Sequence, residues 1–178
     1  MRLRIITAIA CLFALGNSLF GQIRVEPFVG ATLPMCHASG KMMPFPYVGC
    51  DAKYLFNNVP ISVGLQGAMS FAYRTEAISR NGEQEDWALR TISLLAIADW
   101  YCFEKNNFRY YVGCGAGLAN RHETLPGLRE TGVPAYGACF SPRIGVEYRR
   151  RVTLSLNAYI TEKTFNTIGL RIGYSFGK

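Results

Sequence analysis

The sequence predicts an all-β chain: an eight-stranded antiparallel up-and-down transmembrane β-barrel, preceded by a cleavable signal peptide. Three observations lead there. Hydrophobicity alternates with period two in eight segments after residue 22, the pattern of strands that bury or expose one apolar face. Ionised residues fall on only one of the two faces. The connections alternate between long polar stretches and tight turns. Composition agrees. A chain of 178 residues that is 49% hydrophobic and 17% charged is too apolar for disorder, and its six Cys are too sparse for a disulfide scaffold. No apolar run approaches the ~18–20 residues that a spanning helix needs.

The first segment reads as an address. Met1-Arg2-Leu3-Arg4 is a short cationic start, Ile5 to Leu15 is apolar except for Thr7, and Gly16, Asn17, Ser18 and Gly21 follow. That is the order of a secretory signal peptide. Segment 1–21 is therefore expected to be removed, with cleavage at Gly21/Gln22, leaving 22–178 as one domain. Cys11 comes too early for a lipoprotein signal and lacks a Leu three residues before it. Without Arg2 and Arg4 there remain 17 basic and 12 acidic residues, a charge of +5. Scattered basic residues on an exported chain give no reason to expect nucleic acid. The run Arg149-Arg150-Arg151 falls in a predicted turn, as a solvated or headgroup-facing cluster.

The strands follow in chain order. In 23–33, Val25, Val29, Ala31 and Leu33 oppose Arg24, Glu26, Gly30 and Thr32. In 47–56, Val48, Cys50, Ala52, Tyr54 and Phe56 oppose Tyr47, Gly49, Asp51 and Lys53. In 61–74, Ile61, Val63, Leu65, Met69 and Phe71 oppose Ser62, Gly64, Gln66, Ser70 and Arg74. Segment 91–102 is less clean, because Leu94 to Ala98 is continuously apolar; its better register sets Ile92, Leu94, Ala96, Ala98 and Trp100 against Asp99. In 110–119, Tyr110, Val112, Cys114, Ala116 and Leu118 oppose Tyr111, three glycines and Ala119. In 138–148, Phe140, Ile144, Val146 and Tyr148 oppose Ser141, Arg143, Gly145 and Glu147, and Pro142 suggests a bulge. In 152–161, Leu154, Leu156, Ala158 and Ile160 oppose Thr153, Ser155, Asn157 and Tyr159. The last is the clearest: Ile168, Leu170, Ile172, Tyr174 and Phe176 alternate with Thr167, Gly169, Arg171, Gly173 and Ser175.

Strands of about ten residues suit a tilted bilayer crossing. Segments 34–46, 75–90 and 120–137 are long and polar, whereas 57–60, 104–109 and 149–151 are tight; 162–166 is short where a long loop is expected. No Asp, Glu, Lys or Arg lies on the apolar faces. The other faces carry Arg24, Glu26, Asp51, Lys53, Asp99, Arg143, Glu147 and Arg171, four of each sign, and Arg74 adds one more near a rim. Arg or Lys facing lipid at the midplane costs roughly 2–4 kcal/mol, which gives this sorting a physical cause. Equal numbers of each sign are expected to pair inside the barrel, with neighbouring glycines leaving room for the long Arg and Lys side chains. Alternation alone does not say which face is inner. Aromatic residues cluster at both strand ends, as two interfacial girdles would: Tyr54, Phe56, Trp100, Phe103, Phe108, Tyr110, Tyr148, Tyr174 and Phe176 at the short turns, and Phe71, Tyr73, Trp87, Tyr136 and Phe140 at the long loops.

From Gln22 to Lys178 the chain resembles the small eight-stranded outer-membrane barrels of Gram-negative bacteria, the OmpA/OmpX-like porin-family group. The resemblance rests on Tyr111-Val112-Gly113-Cys114-Gly115-Ala116-Gly117-Leu118, on Pro142-Arg143-Ile144-Gly145-Val146-Glu147-Tyr148, and on Ile168-Gly169-Leu170-Arg171-Ile172-Gly173-Tyr174-Ser175-Phe176. It implies an outer-membrane location and a closing aromatic signal, here Tyr174 and Phe176, read by the barrel-assembly machinery. Gly177-Lys178 after Phe176 is a small departure from that pattern.

Chemistry is sparse. Gly113-x-Gly-x-Gly117 lacks the helix of a phosphate-binding loop, and close packing inside a barrel explains those glycines better. His37 and His122 fall in predicted loops, so neither Cys36-His37 with His122 as a metal site nor His122 with Glu123 as an enzymatic pair has supporting spacing. No metal, cofactor or catalytic residue is expected. Cys50, Cys102 and Cys114 fall on the apolar set, and Cys36 and Cys139 near one rim leave a bridge open. An eight-stranded barrel is just filled by its side chains, so the expected function is a monomeric scaffold. It would sit in outer-membrane lipid and lipopolysaccharide and present loops, with Lys41, Arg80, Glu83, Glu85, Asp86, Trp87, Arg121, His122 and Arg129, to an extracellular protein partner. A narrow channel, a lipid A-modifying enzyme and a soluble lipocalin-like binder are the alternatives.

Overall fold

The computed structural model describes residues 23–35, 44–76, 85–124, 135–161 and 166–177. The expected signal peptide lies outside them, as do Cys36, His37, Lys41, Arg80, Glu83 and Arg129. For Glu85, Asp86, Trp87, Arg121 and His122 only the backbone is described.

Eight strands form: β1 (Ile23–Pro34), β2 (Phe45–Leu55), β3 (Ile61–Glu76), β4 (Glu85–Lys105), β5 (Phe108–Thr124), β6 (Ala135–Tyr148), β7 (Val152–Thr161) and β8 (Thr167–Tyr174). Each pairs antiparallel with the next, and β8 closes on β1, giving a barrel without a sheet edge through its body. A two-way bond between Val25 and Phe176 (3.0 and 2.8 Å) extends that seam past the end of β8.

The stagger follows from the register. Paired residues run from Leu55 through Ser62, Asp99, Gly113, Arg143, Asn157 and Gly169 to Thr32. Thr32 in turn pairs with Phe45, ten residues along β2 from Leu55. A stagger of ten over eight strands tilts the strands into the range of roughly 35–45° of closed barrels.

Alternation survives in every strand. The outer wall is apolar: Val29, Leu65, Leu94, Leu118, Ile144, Leu170 and Ile172 are each at least half exposed. In β4 the apolar run resolves in the expected register, with Leu94 outside and Leu95 and Ile97 buried within. A bulge at Tyr101/Phe103 leaves Cys102 out of the ladder, and Cys50, Cys102 and Cys114 are all exposed.

Two expectations need correction. Pro142 makes no bulge: β5 pairs with β6 in unbroken register through Cys114 and Pro142. On the other side the β6–β7 ladder skips Ser141 and Pro142 yet resumes in the same register at Arg143 and Asn157. A residue without an N–H drops ladder bonds without requiring an extra residue. Also, much of the predicted loops 75–90 and 120–137 is strand. β3 and β4 pair up to Glu76 and Glu85, and β4 and β5 up to Ala88 and Thr124. These strands stand well beyond the rim formed by β1, β2, β7 and β8.

The charged lumen as candidate functional site

Small residues and long charged ones share the inner face, and the lumen is filled in two layers. Reading away from the short turns, β1 presents Arg24, Glu26 and Phe28; β2 presents Lys53, Asp51 and Tyr47; β4 presents Asp99, Ile97 and Leu95; β6 presents Glu147, Arg143 and Cys139. Among the described side chains, buried charge therefore occupies the half near the short turns. Phe28, Tyr47, Ala68, Leu95, Ile97, Ala119, Cys139 and Tyr159 form one apolar cluster beyond it.

All eight predicted charges are buried, the most exposed being Arg24 at 7%. Asp51 is the hub. The Arg171 fork donates to both of its oxygens (3.2 and 2.9 Å), Arg143 Nη1 donates at 3.1 Å, Gln66 Nε2 at 2.8 Å, and Lys53 Nζ lies 3.4 Å away. Arg143 also grips Asp99 through Nε (2.5 Å) and Nη2 (2.6 Å), a bidentate geometry that fixes both partners. Lys53 reaches Glu26 (3.1 Å) and Asp99 (3.5 Å), and Ser175 Oγ donates to Glu26 at 3.0 Å. Arg24 pairs with Glu147 at 2.5 Å.

The junction between layers is polar on one side and aromatic on the other. The Arg171 guanidinium lies 4.2 Å over the Phe28 ring while its Nε donates to Ser155 (2.7 Å). Tyr159 donates to Gln66 Oε1 (3.0 Å), and the Tyr47 and Tyr159 hydroxyls are in contact. Asp51 is thus tied through Gln66 to the aromatic layer.

Sequence reasoning missed Arg109, placed in a turn, and the inward Phe28. Arg109 belongs to β5 and shares the parity of Tyr111 and Gly113, so extending the alternation by two residues finds it. Its guanidinium sits 4.0 Å over the Tyr101 ring, 3.4 Å from Glu147 and 3.3 Å from Glu104. The glycines also serve differently from expectation. A Cβ on Gly145 would come within 2.6 Å of the Tyr111 ring, one on Gly173 within 2.8 Å of the Glu26 carboxylate, and those on Gly49 and Gly113 would strike Phe28 and Asp99. The space they leave holds rings and carboxylates rather than Arg and Lys stems. Tyr174 and Phe176 face outward with ring centroids 4.9 Å apart. Cys139 is buried on the lumen side, and its suggested partner Cys36 lies outside the described residues. Among the described residues no cluster could hold a metal ion.

The arrangement reverses a soluble barrel: charge is inside and hydrocarbon outside. No protein-family model and no curated protein sequence matches the chain. Among solved structures it is similar to Neisserial surface protein A (12% identity, TM-score 0.56, covering 88% of this chain and 96% of that one). Others are Ail, the attachment invasion locus protein of Yersinia pestis (16%, 0.47, 87% and 97%), and the outer membrane protein OprG from Pseudomonas aeruginosa (12%, 0.47, 89% and 97%). This chain has the fold of the small eight-stranded outer-membrane barrels, the OmpA/OmpX-like architecture.

Proposed function

We propose that the protein is a monomeric, non-catalytic outer-membrane barrel that presents its long-loop end to the outside. The observation that carries this reading is the polarity of the wall. Burying four acidic and four basic side chains while exposing a continuous apolar belt costs stability in water; in a bilayer both choices are the favourable ones. Nine aromatics, Tyr54, Phe56, Trp100, Phe103, Phe108, Tyr110, Tyr148, Tyr174 and Phe176, ring the short-turn end, and Tyr136 and Phe140 mark the other, as interfacial girdles would. The same polarity argues against the lipocalin-like alternative.

A layered, side-chain-filled lumen supports scaffolding over a wide pore. Surface interaction is supported by the tall part of β3–β5: above Ser70, β3 has no β2 partner among the described residues, and unpaired strand is a template for another chain. The partners in this reading are outer-membrane lipid and lipopolysaccharide around the wall, the barrel-assembly machinery at Tyr174 and Phe176, and an extracellular protein at the loops. Membrane fractionation with gel mobility before and after boiling tests it. The expected outcome is an outer-membrane band that migrates faster unboiled than boiled. A soluble periplasmic protein with a single mobility would refute the proposal.

A further inference from the structure

The turn between β6 and β7 is built from residues that its backbone does not favour. Arg151 N–H closes it onto Tyr148 O at 3.0 Å, and both central residues, Arg149 (φ 51°) and Arg150 (φ 57°), have positive φ. Positive φ at both central positions calls for Asn-Gly or a similar pair, because a Cβ crowds the backbone there. Arginine at each is therefore a conformational sacrifice, and strain held in place invites a functional cause.

The side chains indicate one. The Arg149 guanidinium lies 5.3 Å over the Tyr148 ring, and Arg151 Nη1 donates to the Tyr174 hydroxyl at 3.1 Å. Both tyrosines belong to the outward aromatic ring at the short-turn end. Arg150 pairs with Glu104 at 3.2 Å, both largely exposed. Arg149 N–H donates to Asn107 O (2.7 Å), which ties this turn to the β4–β5 turn and its exposed Lys105. Glu104 is shared by Arg150 and Arg109, while Arg149 and Arg151 lie against tyrosines and pair with no carboxylate among the described residues, so cations outnumber acids at this end. Among the described residues neither the Arg149 nor the Arg151 side chain pairs with a lumen carboxylate.

We propose that Arg149, Arg150, Arg151 and Lys105 form a binding site for the phosphate of anionic phospholipid headgroups in the leaflet at the short-turn end. The proposal rests on the membrane reading above. Tyr148 and Tyr174 set the depth at the interface, and the arginines lying against them meet phosphates at that level.

The test compares the full chain with Arg149→Asn/Arg150→Gly, whose turn suits positive φ and so keeps the fold, and with Arg151→Gln. Each is folded into vesicles of phosphatidylcholine, with or without phosphatidylglycerol. The readout is the temperature at which the heat-modifiable band is lost. Phosphatidylglycerol should raise that temperature for the natural chain, and high salt should abolish the rise. The double variant should match or exceed the natural chain in phosphatidylcholine but lose most of the phosphatidylglycerol-dependent shift, and Arg151→Gln should lose part of it. An equal shift in all three chains would overturn the site while leaving the membrane reading intact. Inorganic phosphate reproducing the shift in phosphatidylcholine would overturn the lipid assignment. Failure to fold into either vesicle would overturn the membrane reading and the site together.

Discussion

At the scale of single residues, Asp51 decides whether the lumen is a network or a set of buried, unpaired cations. It accepts from Arg171, Arg143 and Gln66 and lies beside Lys53, and it is fully buried. Removing one partner of such a cluster strands the others, which costs about 3–5 kcal/mol. Asp51→Asn should therefore lower the unfolding free energy in vesicles by that order, measured by urea titration of tryptophan fluorescence. Adding Arg171→Met should recover part of the loss, because it removes a cation that a neutral amide at position 51 no longer balances. Additivity of the two changes would mean that the contact carries no coupling. Asp51 is visible in the sequence as an inward charge, since Asp51 and Lys53 share parity with Tyr47 and oppose Val48, Cys50 and Ala52. Its role as hub is not. Parity gives the face of a residue, whereas the partners Arg143 and Arg171 sit 92 and 120 positions away, and only the closed register brings them together.

At the scale of elements, alternation is legible wherever burial enforces it and fades where it does not. Residues 85–90 and 120–124 lie past the segments whose sequence alternates, and the pairing of β3, β4 and β5 continues through them in backbone register. Arg109 escapes notice for a different reason: alternation does reach it, between the outward Phe108 and Tyr110, but it adjoins the turn and reads as part of it. The register of Leu94 to Ala98 is legible because Asp99 fixes the parity at its end. Pro142 is legible as a disturbance but not as the kind it is, since a missing N–H and an inserted residue look alike in sequence. The gap it leaves has a measurable consequence. The side-chain amide of Asn157, in the lumen beside the gap, also has no partner among the described residues. Amides of Ala158 and Tyr159 should exchange with deuterium faster than those of Leu154 and Leu156. Pro142→Val gives the opposing β7 carbonyl a donor, which should steady the ladder and thereby slow the exchange at Ala158; an unchanged rate would show that something other than the proline opens the ladder.

At the scale of the whole molecule, the two layers of the lumen are barriers in series. Among the described side chains, an ion coming from the long-loop end meets Phe28, Tyr47, Leu95 and Tyr159 before the guanidinium and carboxylate groups around Asp51. One layer is held by packing and the other by pairing, so each is expected to keep the lumen shut when the other is cut back. Planar bilayers containing the natural chain should show no stepwise current. The aromatic layer cut back as Tyr47→Ala/Leu95→Ala/Tyr159→Ala should stay silent too, because Arg143 and Arg171 remain locked across Asp51 and Asp99. Adding Asp51→Ser and Arg171→Ser removes the hub and its main partner together, which avoids leaving an unpaired charge, and discrete openings should then appear. Current from the aromatic variant alone would mean that the ion pairs open under voltage, and the barrel would then be a narrow channel with an apolar stopper.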